Sequence, residues 1–200
     1  MKSRGSIFVI SGPSGSGKST VIKEFLKKQA GDFVLSVSAT TRMPRKGEKE
    51  GVHYYFYKKE EFLKHARAGR FLEYAHVVGN YYGTPAGRVI SNINRGKHVI
   101  MDIDIQGAAK IKKKVKGIVT VFIMPPTFEE LKKRLCKRKT DSAADIRKRL
   151  NLAKKELKES PEYDYIIVNK KLDQKRVLLL YKHSMKFFQV RSARLSESSS

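Results

Sequence analysis

Apolar residues in this chain gather into short β-rich runs at 6–11, 33–37, 98–103, 118–124 and 165–168. Each run but the second is followed by a stretch of helical character. Val21, Ile22, Phe25 and Leu26 mark one such face, and Ile146, Leu150, Ala153 and Leu157 mark another. Strands alternating with helices predict an α/β fold, a parallel five-stranded sheet covered by helices. The first run is too short to cross a membrane or to form a signal-peptide core, and it leads straight into a glycine-rich loop. It reads as a buried strand.

The pattern changes between 38 and 96. Aromatic runs (Tyr54 to Tyr57, Tyr81 and Tyr82), glycine punctuation and a helical stretch over 59–68 predict a small mixed insertion in the parallel core. Thr127 and Glu130 form a T-x-x-E capping box that opens a helix through Leu131 and Leu135 and puts Arg134 and Arg138 on one face. The polar interruption that begins at Lys139 has the character of a lid. The expected organisation is therefore core at 1–37, insertion at 38–96, core at 97–138, lid at 139–150, core at 151–190 and a serine-rich tail at 191–200, which is expected to be disordered. No internal repeat is visible.

Two hundred residues with 40% hydrophobic content suit one catalytic domain with a sizeable core. Cys136 is the only cysteine, and no Cys/His spacing resembles a metal site, so a reducing, cytoplasmic setting without disulfides or structural zinc is expected. The net charge of +24 would attract nucleic acid or acidic membranes, but nucleotides are polyanions too. The lysines are spread over stretches such as 110–116 and 132–158 instead of alternating with aromatics in one patch. A generally basic surface follows, with neither nucleic acid nor membrane the expected partner.

Gly12-Pro13-Ser14-Gly15-Ser16-Gly17-Lys18-Ser19 fits G-x-x-x-x-G-K-[ST], between a predicted strand and a predicted helix. Glycines let backbone amides curl round an anion, the helix N-terminus adds partial positive charge, and Lys18 reaches the β- and γ-phosphates. Ser19 would offer its hydroxyl to Mg²⁺, and Thr20 follows it into the helix. Such a loop marks a bound triphosphate, with ATP the expected phosphoryl donor. A GTPase would also need N-K-x-D, and Asn169-Lys170-Lys171-Leu172 lacks the aspartate. The chain is short for a motor, which leaves kinases of small metabolites.

Further motifs follow in order: Ser36-Val37-Ser38-Ala39-Thr40-Thr41-Arg42-Met43-Pro44-Arg45, Glu50-Gly51-Val52-His53-Tyr54-Tyr55-Phe56, Phe71-Leu72-Glu73-Tyr74-Ala75, Gly79-Asn80-Tyr81-Tyr82-Gly83-Thr84, and Asp102-Ile103-Asp104-Ile105-Gln106-Gly107. With the phosphate loop, they make the chain resemble the guanylate kinases over nearly its whole length. The resemblance implies transfer of the γ-phosphoryl group of ATP to GMP or dGMP. It assigns the GMP phosphate to Arg42, Arg45, Tyr54 and Tyr82, and the base to Ser38, Glu73 and Thr84, with Gly83 alongside. Arg134, Arg138 and Arg149 match the family's lid-region arginines, and Asn169 the segment beside the adenine of ATP.

The residue types suit these roles. Guanidinium groups pair with phosphate oxygens bidentately. Guanine presents N1–H and a 2-amino group as adjacent donors, which one carboxylate accepts together. Asp102, at the end of an apolar strand, is where a carboxylate for Mg²⁺ and its water shell should emerge. Asp104 faces either the GMP base or the ribose, and either aspartate could instead cap the following helix.

Two residues depart from the family pattern: Lys139 follows Arg138 where a small residue is usual, and His53 stands where aspartate is common. Rival readings are a kinase of another phosphorylated acceptor, a guanylate-kinase-like interaction module, and an RNA-binding protein that binds ATP. Intact Lys18 and Ser19 argue against the module, which usually loses the phosphate loop. Both a monomer and a homo-oligomer fit the sequence.

Overall fold

The computed structural model describes residues 4–29, 31–137 and 143–170. Five strands form one sheet in the order β2-β7-β1-β8-β9: β1 (Ile7–Ser11), β2 (Phe33–Leu35), β7 (His98–Asp102), β8 (Val119–Met124) and β9 (Tyr165–Val168). β7 lies parallel to both β1 and β2, with Ile7 opposite Val99 and Phe33 opposite His98. All five predicted runs are strands, each within a residue or two of its expected bounds. Val9, Val99, Ile100, Met101, Phe122 and Ile123 are nearly or completely buried. A strand covered on both faces must be apolar along its length, which is why these runs do not alternate.

The insertion builds a second sheet in the order β4-β3-β6-β5, from β3 (Ser38–Thr40), β4 (Tyr54–Phe56), β5 (Phe71–Val77) and β6 (Asn80–Pro85). Its pairing is mixed: β3 runs parallel to β4 and antiparallel to β6. Helix α2 (Lys59–Arg67) buries Phe62 against Phe71, their rings 4.6 Å apart. α3 (Ala86–Asn94) leads back to β7. β5 and β6 are joined by the two-residue turn Val78-Gly79, both at positive φ (47° and 80°), a conformation that a β-branched residue adopts only under strain.

α1 (Lys18–Lys28) follows β1, α4 (Ile105–Lys114) follows β7, and α5 (Phe128–Cys136) follows β8. Thr127 caps α5 by accepting the Glu130 N–H, but the Glu130 carboxylate is taken by Arg134 at 2.9 Å. α6 (Ala143–Lys158) contains residues 143–150 of the expected lid, while 139–142, Arg138 and the tail at 191–200 lie outside the described residues.

Contacts group the chain into two compact units, Met1–Gly12 with Gln29–Val121, and Pro13–Lys28 with Phe122–Ser200. Among the described residues, no helix is long and apolar enough to cross a membrane.

Candidate active site

In the second unit, the loop after β1 turns tightly before α1. The Ser16 N–H donates to the Pro13 carbonyl at 3.1 Å, and Lys18 Nζ donates to the same oxygen at 3.4 Å. Gly15 and Gly17 stand at φ 87° and 91°, where an L side chain is strained. Space forbids a side chain as well: a Cβ on Gly17 would lie 2.3 Å from Asn169 Nδ2, and one on Gly15 would press on Leu131 and Leu135 at 3.1 Å. The first turn of α1 carries no acidic residue, whereas α2 and α5 each place two glutamates there. Its N-terminal partial charge is therefore not offset from within the helix.

Behind the loop lies a support. Asn169 Nδ2 donates to the Ser16 carbonyl at 2.9 Å, Arg134 Nη1 donates to the same oxygen at 3.3 Å, and Arg134 Nη2 donates to the Asn169 carbonyl at 3.2 Å. Glu130 holds Arg134 Nε. Arg149 Nη1 donates to Ser14 Oγ at 3.2 Å. The structure thus brings Ser14, Ser16, Gly17, Arg134, Arg149 and Asn169 together, with Ser19 and Thr20 exposed on the first turn of α1.

The first unit holds a different constellation. Glu73 is 3% exposed, deeper than a sequence reading of a lone glutamate suggests. A shift of register between Phe71 and Tyr74 gives β5 one residue more than β6 at this point, and the resulting bulge lies opposite Thr84. Bulges re-aim side chains. Here the Thr84 hydroxyl donates to Glu73 Oε1 at 2.7 Å, and a Cβ on Gly107 would meet Oε2 at 2.6 Å. The carboxylate therefore sits against the first turn of α4, whose N-cap is Asp104, accepting the Gly107 N–H at 2.8 Å. Burial pushes the Glu73 carboxyl up from 4.5 to about 7 against the pull of the Thr84 hydroxyl; Asp104 adds to the rise, and Lys110 and Lys114 oppose it. Gly83 has a packing role, since a Cβ there would meet Tyr74, Phe62 and the Glu73 backbone at about 3 Å.

Beside it, Arg42, Tyr54 and Tyr82 converge. The Arg42 guanidinium lies 5.5 Å from the Tyr54 ring centre, and the Tyr54 and Tyr82 rings meet edge-on at 6.1 Å. Burial, then the nearby Asp102 carboxylate, pushes the Tyr54 hydroxyl up. Arg42 Nη2 donates to both Glu48 oxygens, at 2.9 and 3.0 Å, and the Arg45 N–H donates to Glu48 at 2.7 Å. Burial disfavours the Glu48 charge, but Arg42 and Arg45 outweigh it and hold its carboxyl below the usual range. The Arg45 side chain is exposed, and Ser38 is half-buried at the start of β3.

Glu48, Glu130 and Gly107 were not singled out from sequence as parts of the site. Glu48 lies three residues past Arg45 and six past Arg42, a spacing that could have flagged it. Gly107 closes the last of the sequence motifs, and the approach of the Glu73 carboxylate, with Asp104 Oδ1 beside it, explains why it is glycine. Gly107→Ala is expected to displace the Glu73 carboxylate and to cost about 1–3 kcal/mol of stability; denaturant unfolding checks it.

A parallel α/β sheet with a phosphate loop between its first strand and first helix, and a buried carboxylate site in an inserted mixed sheet, defines a P-loop nucleotide-binding protein. The sequence profile described as guanylate kinase matches residues 4–180. The guanylate kinase of Clostridium tetani is 48% identical over 84% of this chain and 80% of its own length, and that of Thermotoga maritima is 48% identical over 85% and 82%. The crystal structure of guanylate kinase from Anaplasma phagocytophilum superposes with a TM-score of 0.70 at 36% identity, covering 97% of this chain and 88% of that one. The chain belongs to the guanylate kinase family.

Proposed function

We propose that this protein transfers the γ-phosphoryl group of ATP to GMP, or to dGMP, giving ADP and the guanosine diphosphate, within cytoplasmic purine nucleotide metabolism. The observation that carries the reading is the buried Glu73–Thr84 pair set against Gly107, in a chain of this family whose phosphate loop is intact.

Guanine N1–H and its 2-amino group donate to the Glu73 oxygens, with Thr84 and Ser38 completing the base site and Asp104 at its border. Arg42, Arg45, Tyr54 and Tyr82 hold the phosphate of GMP. Glu48 keeps Arg42 extended before that phosphate arrives. The loop amides of residues 12–19 and Lys18 hold the triphosphate of ATP, Arg149 acts from beside Ser14, and Arg138 supplies a further cation. Arg134 and Asn169 act as a brace on the Ser16 carbonyl of the loop, so Arg134 is a positioning residue. No general base is required, because the attacking phosphate oxygen is already ionised at neutral pH.

The donor set suits Mg²⁺. Among the described residues no cluster of three or more His, Cys, Asp or Glu stands ready for a metal. An ion held mainly by phosphates and water needs only the Ser19 hydroxyl and, through water, Asp102. When bound, Mg²⁺ neutralises charge on the β- and γ-phosphates.

A coupled assay with Mg-ATP against GMP, AMP, CMP and UMP tests the reading. Turnover of GMP well above the other monophosphates is expected. ATP binding without turnover of any monophosphate overturns the acceptor assignment.

A further inference from the structure

β5 is the last strand of its sheet, so among the described residues one of its edges has no strand partner. Helix α4 packs along β5 and presents two lysines four residues apart. Lys110 Nζ donates to the Tyr74 carbonyl at 2.6 Å, and Lys114 Nζ donates to the Leu72 carbonyl at 3.4 Å. Lys110 also lies 5.2 Å from the centre of the Tyr74 ring. The two lysines thus grip the carbonyls on either side of Glu73, within the bulge that turns its side chain inward.

A bulged strand loses part of its ladder and is the place where an edge would fray or slip register. At this bulge, ammonium donors from the neighbouring helix stand where a strand partner would. Both ammonium groups are exposed, so their aliphatic stems cross the helix surface while their heads close the edge. The groups that act on the Glu73 carboxylate are the Thr84 hydroxyl, Asp104 at the head of α4, and these two lysines. Only the lysines are cationic.

Resting on the reading of Glu73 as the guanine acceptor, we propose that Lys110 and Lys114 are specificity-determining positioning residues: they clamp the bulge through the Leu72 and Tyr74 carbonyls and keep the Glu73 carboxylate placed and charged for guanine. They contact no substrate. Their positive charge offsets Asp104, which works the other way on the carboxylate. This gives part of the lysine run at 110–116 a local task beyond general surface charge.

The test pairs the double variant Lys110→Met/Lys114→Met, which keeps the stems, with Lys110→Arg/Lys114→Arg, which keeps the charge. In substrate-free full-length protein, the Glu73 carboxyl is followed by ¹³C NMR and assigned by its loss in Glu73→Gln. Its titration midpoint is expected to rise by roughly 0.5–1 pH in the Met variant and to return towards wild type in the Arg variant. In turnover, the acidic limb of kcat/KM for GMP moves by the same amount and KM for GMP rises several-fold at pH 7, while KM for ATP stays put.

An unchanged Glu73 midpoint in the Met variant overturns the proposal, even where the melting temperature falls. So does a loss that affects ATP and GMP equally. Absence of GMP turnover in wild type would refute the kinase reading instead, and the NMR titration would still judge the clamp.

Discussion

Glu73→Gln is expected to lower kcat/KM for GMP by about 10²- to 10⁴-fold and to narrow the preference for GMP over AMP, while making the substrate-free protein more stable at pH 8. The two effects share one cause. Burial disfavours the charge of this carboxylate, and in the proposed reading the donors of guanine are what offset that cost. Raising a carboxyl from 4.5 in the unfolded chain to about 7 in the fold costs about 3 kcal/mol once both forms are ionised. The sign follows from proton binding. Between 4.5 and about 7 the folded state holds the proton that the unfolded state has lost, so wild-type stability falls as pH rises through this window. The glutamine variant lacks that loss. Denaturant unfolding of both proteins should therefore differ little at pH 4 and by up to about 3 kcal/mol at pH 8. The acidic limb of kcat/KM for GMP in wild type should fall near pH 7. Equal stabilities at pH 8 would show that the carboxylate is not strained in the empty site.

Lys18→Ala is expected to reduce turnover by at least about 10³-fold with the fold intact. Lys18 is the first residue of α1, where a cation opposes the helix dipole. Its Nζ donates a long 3.4 Å bond to the Pro13 carbonyl. Removing the ammonium should therefore change unfolding free energy by no more than about 0.5 kcal/mol. A fall in kcat without a fall in melting temperature would place the lysine in the chemistry. A variant that melts early and binds no nucleotide would make it a structural element of the loop.

What could be read in the sequence follows from the range of each signal. Apolar runs marked all five core strands; burial on both faces demands them in β1, β7 and β8, whereas the outer strands β2 and β9 leave Leu35 and Ile166 exposed. The run at 33–37 shortens to Phe33–Leu35, although the Ser36 N–H still reaches the Ile100 carbonyl, so the segment leaves the sheet gradually. The capping box at Thr127 was half legible. The threonine caps as its spacing predicts, but Glu130 turns to Arg134, which in turn answers to Ser16, 118 residues away. Periodicity identifies a helix face and says nothing about a pairing at that distance. The same limit hid Gly107 and the two lysines of α4, whose meaning depends on Glu73. Glu48 was hidden differently: without coordinates, an acid among basic residues in a loop reads as a solvated charge.

The extra residue in β5 ties the placement of the Glu73 carboxylate to the length of the strand. Phe71, Glu73 and Ala75 point inward, and Tyr74 and His76 point outward. Deleting Leu72 would close the bulge and make Phe71 and Glu73 direct neighbours, so that the two could no longer both point inward. Substitutions along this strand can be absorbed one at a time. An insertion or deletion of a single residue cannot, because it moves the side chains on one side of it to the opposite face. Homologues that keep the base preference should therefore vary in composition between Phe71 and Val77 far more freely than in length, and should place their insertions at the exposed Val78-Gly79 tip.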